Sequence, residues 1–395
     1  MTHRVAKDSR TDSRAHRHRH CPLAGKIRAV RGALLLAVST AAGSGAHAQS
    51  SVTLYGVIDT NIEYVNNLSA TRPTQPGFPG PGHSRLALSS GGLSGSRWGL
   101  RGREQLDGEL AAVFDLQSGF TSDDGRSGQS GRLFGRQAYV GLDHRTYGRI
   151  TFGRQYTPIF DAFSDFSPSK YGTQYEPIVV QLGLDLRSDN VAKYTGRFGP
   201  LTAIAGWSFG NGVLGNGEVP GQIRRDAGYG GALTYFQGAF GAALAFNRFY
   251  PSLAAGVGTF TKAGAALSYS NANVKLMGGY RWGMDKAADG RVIVHDGYYW
   301  AGINYQATRA LELTLAYYYE DLRSLNGTRP AKPWQLSLIA DYSFSRRTDL
   351  YLSAAYAKNA GLNLDTSAVS YSSGYFPGAG KSGMLGVALG VRHKF

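Results

Sequence analysis

Cysteine is almost missing. The only one in 395 residues is Cys21, and it falls in a stretch that reads as a removable leader. An exported chain without a cysteine pair has no disulfide framework, so a small stapled fold is excluded. Long apolar runs are missing as well. Past residue 48 none approaches the ~18 residues that a membrane-spanning helix needs, and mean hydropathy is slightly negative. No long amphipathic helical pattern appears anywhere. Carboxylates are outnumbered, with 27 Asp and Glu against 42 Lys and Arg and a formal net charge of +15.

Other absences narrow the chemistry. Outside the leader only His83, His144, His295 and His393 remain, and their neighbours offer no metal-ligand spacing. A hydrolytic barrel would need Ser, His and Asp converging at one rim, which four scattered histidines do not supply. Glycine-rich pieces such as "GYGGAL" and "GVLGNGEV" do not open a helix after a strand, so nucleotide binding fails on context. Positive charge can mean nucleic acid, but export argues against it. No cofactor and no metal are expected.

The leader is residues 1–48. A long basic stretch precedes "GALLLAVSTAAGSGAHA", which ends in Ala46-His47-Ala48. That order describes a secretory signal peptide cleaved after Ala48, leaving residues 49–395 as a single domain. The "HRHRH" run from His16 to His20 is then n-region charge and not a metal site. The leader holds nine of the basic and two of the acidic residues, which leaves a mature net charge of +8.

What the chain does have is tyrosine, 24 residues, and glycine, 54 residues, set in alternating segments. In "LELTLAYYYE" Leu311, Leu313, Leu315, Tyr317 and Tyr319 share one face and Glu312, Thr314, Ala316, Tyr318 and Glu320 the other, a strand with two different sides. "PWQLSLIADYSF", "TDLYLSAAYAK", "ANVKLMGGYRWG", "YYWAGINYQ" and "GELAAVFDLQ" repeat the pattern. About sixteen such segments start near 52, 95, 109, 132, 148, 190, 201, 227, 239, 259, 272, 292, 311, 332, 348 and 382. Minimal turns alternate with long Gly-, Pro-, Ser- and Asn-rich loops at 66–83, 119–131, 157–188, 210–225, 323–331 and 359–380. Short turns on one rim and long loops on the other predict an up-and-down transmembrane barrel. A soluble sandwich would present a charged outer face. Here the exposed-face candidates are Gly, Ala, Leu and Val, with aromatics near strand ends, as a lipid-facing band requires.

"SSVTLYGVIDTNIEYVNN", "SRWGLRGREQLDGELAAVFDLQSGF", "RQAYVGLDHRTYGRITFGRQYTP", "NVAKYTGRFGP" and the closing "GVALGVRHKF" resemble, in order and over residues 50–395, the Gram-negative general porins. The resemblance implies an all-β, 16-stranded antiparallel barrel, assembled as a homotrimer in the outer membrane, that passes small polar solutes and ions. It also implies that the third external loop folds inward and that the last strand, ending on Phe395, carries the signal for the assembly machinery.

The loop at 157–188 fits that third loop and holds Asp161, Asp165 and Glu176. The family sets loop acids against a basic wall, and motif position puts Arg97, Arg154 and Lys193 on it. Periodicity alone turns Arg97, Arg101 and Lys193 to the lumen. Arg136 and Arg154 share parity with Phe134 and Ala138 and with Ile150 and Phe152, which aims them at lipid. An unpaired arginine there costs roughly 2–4 kcal/mol near the midplane, and the resemblance returns both to the lumen. The positive surplus and the basic wall suggest a mild preference for anions. A channel specific for phosphate or an organic anion is the alternative, with an outer-membrane barrel enzyme far behind.

Overall fold

A computed structural model describes residues 50–215, 217–366 and 374–395. The leader, Cys21 and the cleavage site lie outside the described residues.

Sixteen antiparallel strands close into one barrel. In chain order they are β1 (Ser50–Ser69), β2 in two segments (Gly82–Ser90 and Arg97–Gln105), β3 (Leu110–Gly119), β4 (Gln137–His144), β5 (Gly148–Tyr156), β6 (Arg187–Phe198), β7 (Leu201–Ser208) and β8 (Gly228–Gln237). The circuit continues with β9 (Phe240–Phe249), β10 (Thr259–Ser270), β11 (Val274–Lys286), β12 (Val292–Gln306), β13 (Leu311–Leu325), β14 (Trp334–Ser343), β15 (Thr348–Lys358) and β16 (Gly383–Lys394). Each strand pairs with the next. Closure is made by β1 against β16, from Val57 opposite Lys394 to Val65 opposite Gly386. Among the described residues no barrel edge is left for hydrocarbon to desolvate.

Strand positions follow the alternation closely, with one correction. The second strand begins at Gly82, inside the region read as loop, and it is broken. Its first segment pairs with β1 from Ser90 opposite Thr60 to Gly82 opposite Ser69, its second from Arg97 opposite Val57 onward. Six residues, 91–96, therefore face only Ile58 and Asp59 across the gap. They leave the sheet inward. The stretch "GHSRLALSS" has too many polar residues to read as a strand against the proline-rich run before it.

The two faces are inverted relative to a soluble protein. On β13, Leu315 is 42% exposed and Tyr317 43%, while Tyr318 is 1% and Glu320 0% exposed. Aromatic rings collect on the outer face in two bands. Tyr280, Tyr299 and Tyr319 form a chain six to eight residues along from the turn ends of β11, β12 and β13, with centroids 4.7 and 6.0 Å apart. Phe240 with Tyr269, and Tyr342 with Phe344, do so at the turn rim, each pair 5.2 Å apart. Apolar sides between two aromatic girdles are what a bilayer solvates.

The third long loop, residues 157–186, turns into the barrel. It carries helix α1 (Pro158–Phe163), a 3₁₀ turn (Ser164–Phe166) and helix α2 (Ile178–Leu182). Ile159, Phe163, Phe166, Val180 and Leu182 are fully buried against an inner wall of Ala243, Ala245, Ala266, Tyr298, Trp300 and Ala316. Small residues on that wall make room. A Cβ at Gly302 would sit 2.5 Å from Pro168 of the loop. The Trp300 indole N–H donates to the Phe166 carbonyl at 2.9 Å, which satisfies the one polar atom of that ring. One half of the bore is thus a dry core, and the other half is left for water.

Candidate functional site

The open half of the bore narrows to a cavity of about 480 Å³, lined among others by Arg97, Arg136, Arg187, Tyr156, Lys170 and Glu176. β2 brings Arg97 in by ordinary parity. Arg136 arrives from the residue before β4, where its backbone N–H donates to Gln117 and its Nε donates to the Gln117 side chain at 2.7 Å. Arg187 opens β6 opposite Tyr156, across a register shift between Gly153 and Gln155. The extra residue of that bulge lies on β6, between Ser188 and Val191, and Tyr156 lines the cavity from the last position of β5 although Ile150 and Phe152, even-numbered like it, face out.

Tyr156 organises the arginines. Its hydroxyl receives Arg187 at 2.7 Å and Arg136 at 3.2 Å, and the Arg187 guanidinium lies 4.4 Å over its ring. Arg97 donates to the Gly95 carbonyl. None of the three forms an ion pair among the described residues, so their charge is available to whatever passes.

Two carboxylates of the inward loop, Asp161 and Glu176, are engaged by loop and wall side chains. Asp161, in the first turn of α1, pairs with Lys193 at 2.7 Å, and Lys193 also donates to the Tyr156 carbonyl. Glu176 is 3% exposed and accepts the hydroxyls of Ser167, at 2.6 Å, and Ser169. Burial lifts its pKa to about 7, against the pull of those two hydroxyls. Burial likewise raises Asp161, opposed by Lys193. Asp165 is exposed, and its backbone carbonyl accepts Lys275 at 2.5 Å.

The residues singled out from sequence are therefore dispersed. Arg97, Arg136 and Glu176 come together at the cavity. Arg101 lies outside it, stacked 4.0 Å over the Tyr55 ring. Arg154 is also outside, donating to Asp189 at 2.6 Å, a carboxylate that Arg132 shares at 2.7 Å. Lys193 and Asp161 tie the loop to the wall. Phe395 exchanges both backbone hydrogen bonds with Gly56, at 3.0 and 3.1 Å, which fastens the C-terminus to β1. Sequence reasoning missed Arg187, which sat at the end of a loop, and Tyr156, whose parity with Ile150 and Phe152 pointed it outward.

A closed barrel with an apolar belt outside and a charged narrowing inside is a membrane-spanning diffusion channel. The family is fixed by comparison. The Gram-negative porin family model matches residues 33–362, and the chain belongs to that family. It is 30% identical over 375 residues to outer membrane porin protein 32 of Delftia acidovorans, covering 91% of this chain and 99% of that one. It is 28% identical over 411 residues to an outer membrane porin of Bordetella pertussis, again over 91% and 99% of the two chains. Among solved structures, the anion-selective porin from Comamonas acidovorans superposes with a TM-score of 0.72 at 26% identity, over 88% of this chain and 100% of that one. The protein is an outer-membrane channel.

Proposed function

We propose that this porin passes small hydrophilic solutes and ions by passive diffusion with a preference for anions. The observation that carries it is the trio Arg97, Arg136 and Arg187 at the narrowing, none of them in an ion pair among the described residues, beside a loop in which Asp161 is paired and Glu176 buried. Fixed charges at a constriction with low-dielectric walls act on a passing ion far more strongly than charges at the rims. The anion selectivity of the Comamonas acidovorans porin, similar over most of its length, supports the same sign.

The chain works as a homotrimer after removal of residues 1–48, and Phe395 with the last strand presents it to the assembly machinery. The exposed apolar outer face of β1–β5, including Leu54, Leu86, Val140 and Phe152, supports a subunit contact on that side. The test is the zero-current potential of refolded protein in a planar bilayer under a salt gradient. A potential of the sign set by anion flux is expected, and a clear cation preference refutes the reading. Saturation and block by one solute would make the protein a specific phosphate or organic-anion channel instead.

A further inference from the structure

Residues 91–96, "GGLSGS", are too well held to be a flaw in β2. The backbone N–H groups of Gly92, Leu93 and Ser94 donate to the Asp59 carboxylate at 3.0, 3.0 and 2.8 Å, and the Tyr351 hydroxyl donates to it at 2.6 Å. Gly91 N–H and the Ser96 hydroxyl both reach the Asp59 carbonyl, and the Asp59 N–H returns to Ser96. Asp59 is 0% exposed and faces the interior. A Cβ at Gly92 would collide with the Tyr351 hydroxyl, and Gly91 has φ +80°, so two glycines are needed to make the excursion. Leu93 packs inside on Ile339 and Tyr351.

This finger meets both partners of the constriction. Leu93, Ser94 and Gly95 line the same cavity as the arginines, and Gly95 accepts from Arg97. The inward loop is latched to it: Gln174 N–H donates to the Gly92 carbonyl at 2.9 Å, and the Thr173 hydroxyl bonds the carbonyls of Gly91 and Gly92. We propose that the 91–96 finger, anchored by Asp59, is a second constriction element that sets the pore aperture together with the inward loop. The inference rests on the channel reading and not on its anion preference.

The register supplies the test. Ser90 lies opposite Thr60 and Arg97 opposite Val57, so two residues of β1 face six of the finger. Deleting residues 92–95 leaves Gly91 and Ser96 to pair with Asp59 and Ile58, and keeps Ser90 outward and Arg97 inward. The deletion variant should show a single-channel conductance raised about 1.5-fold or more. The reciprocal probe is Ser94→Cys in a Cys21→Ser background, modified with a bulky methanethiosulfonate reagent and checked by mass. It should cut conductance by about a third or more. If the deletion variant does not insert, the labelled cysteine decides alone. Wild-type conductance in either inserted and verified variant overturns the proposal. A wild-type channel of the opposite ion preference would sink the anion reading and leave this one standing.

Discussion

Glu176 is a carboxyl with two hydroxyl donors and almost no water, placed at the narrowing. Its pKa rises from 4.5 to about 7. A raised folded-state pKa means that the docked loop favours the neutral acid. The stability this contributes is full below about 4.5 and is lost as pH rises through about 7. The pore charge moves in the same sense, since losing the anion leaves the arginines less opposed. Anion preference should therefore increase as pH falls from about 8 to about 5, with zero-current potentials as the readout. Glu176→Gln should flatten that profile. Asp185 also titrates high, at about 6, through burial, but it lines a separate space behind the loop, so its effect falls on anchoring. Glu176 was legible in the sequence as one acid among three. Its isolation was not, because Ser167 and Ser169 are brought to it by backbone turns with positive φ at Lys170, Tyr171 and Tyr175, which no spacing rule encodes.

At the scale of elements, the inward loop is held by packing on one side and by one cation at its C-terminal helix. Arg281 is fully buried. It donates to the carbonyls of Val180 and Gln181 at α2 and to Asp296 on β12 at 2.6 Å. Arg281→Met leaves Asp296 buried without its cation, a loss of about 3–5 kcal/mol. Denaturant titration of the refolded barrel should show it, and open-channel current should become noisier as α2 loosens. A stability within about 0.5 kcal/mol of wild type would contradict this account. The alternation read the strands well because one face of each meets lipid without interruption. It held even where the inner face meets the loop: the inward set there includes Tyr298, Trp300 and Tyr318, and the outer set alone still marked β12 and β13. The β2 finger was illegible because Asp59, which holds it, lies more than thirty residues away in β1.

For the whole molecule the open question is which charges set ion preference, the three arginines of the narrowing or the surplus of +8 spread over residues 49–395. Salt separates them. The Debye length is about 10 Å at 0.1 M and about 3 Å at 1 M, and partly buried charges are screened much less than exposed ones. Rim charges act on an ion across many ångströms of electrolyte and lose their hold as salt rises. Arg136, 9% exposed, and its neighbours act at contact distance inside a low-dielectric wall, where little electrolyte can intervene. The zero-current potential at a fixed concentration ratio should thus shrink between about 0.1 M and about 1 M and then level off above zero. The residual at high salt is the constriction's own contribution, and Arg187→Gln should reduce it more than it reduces the low-salt value in proportion. A potential that vanishes at 1 M would assign selectivity to the dispersed surplus and leave the arginine trio a structural cluster around Tyr156.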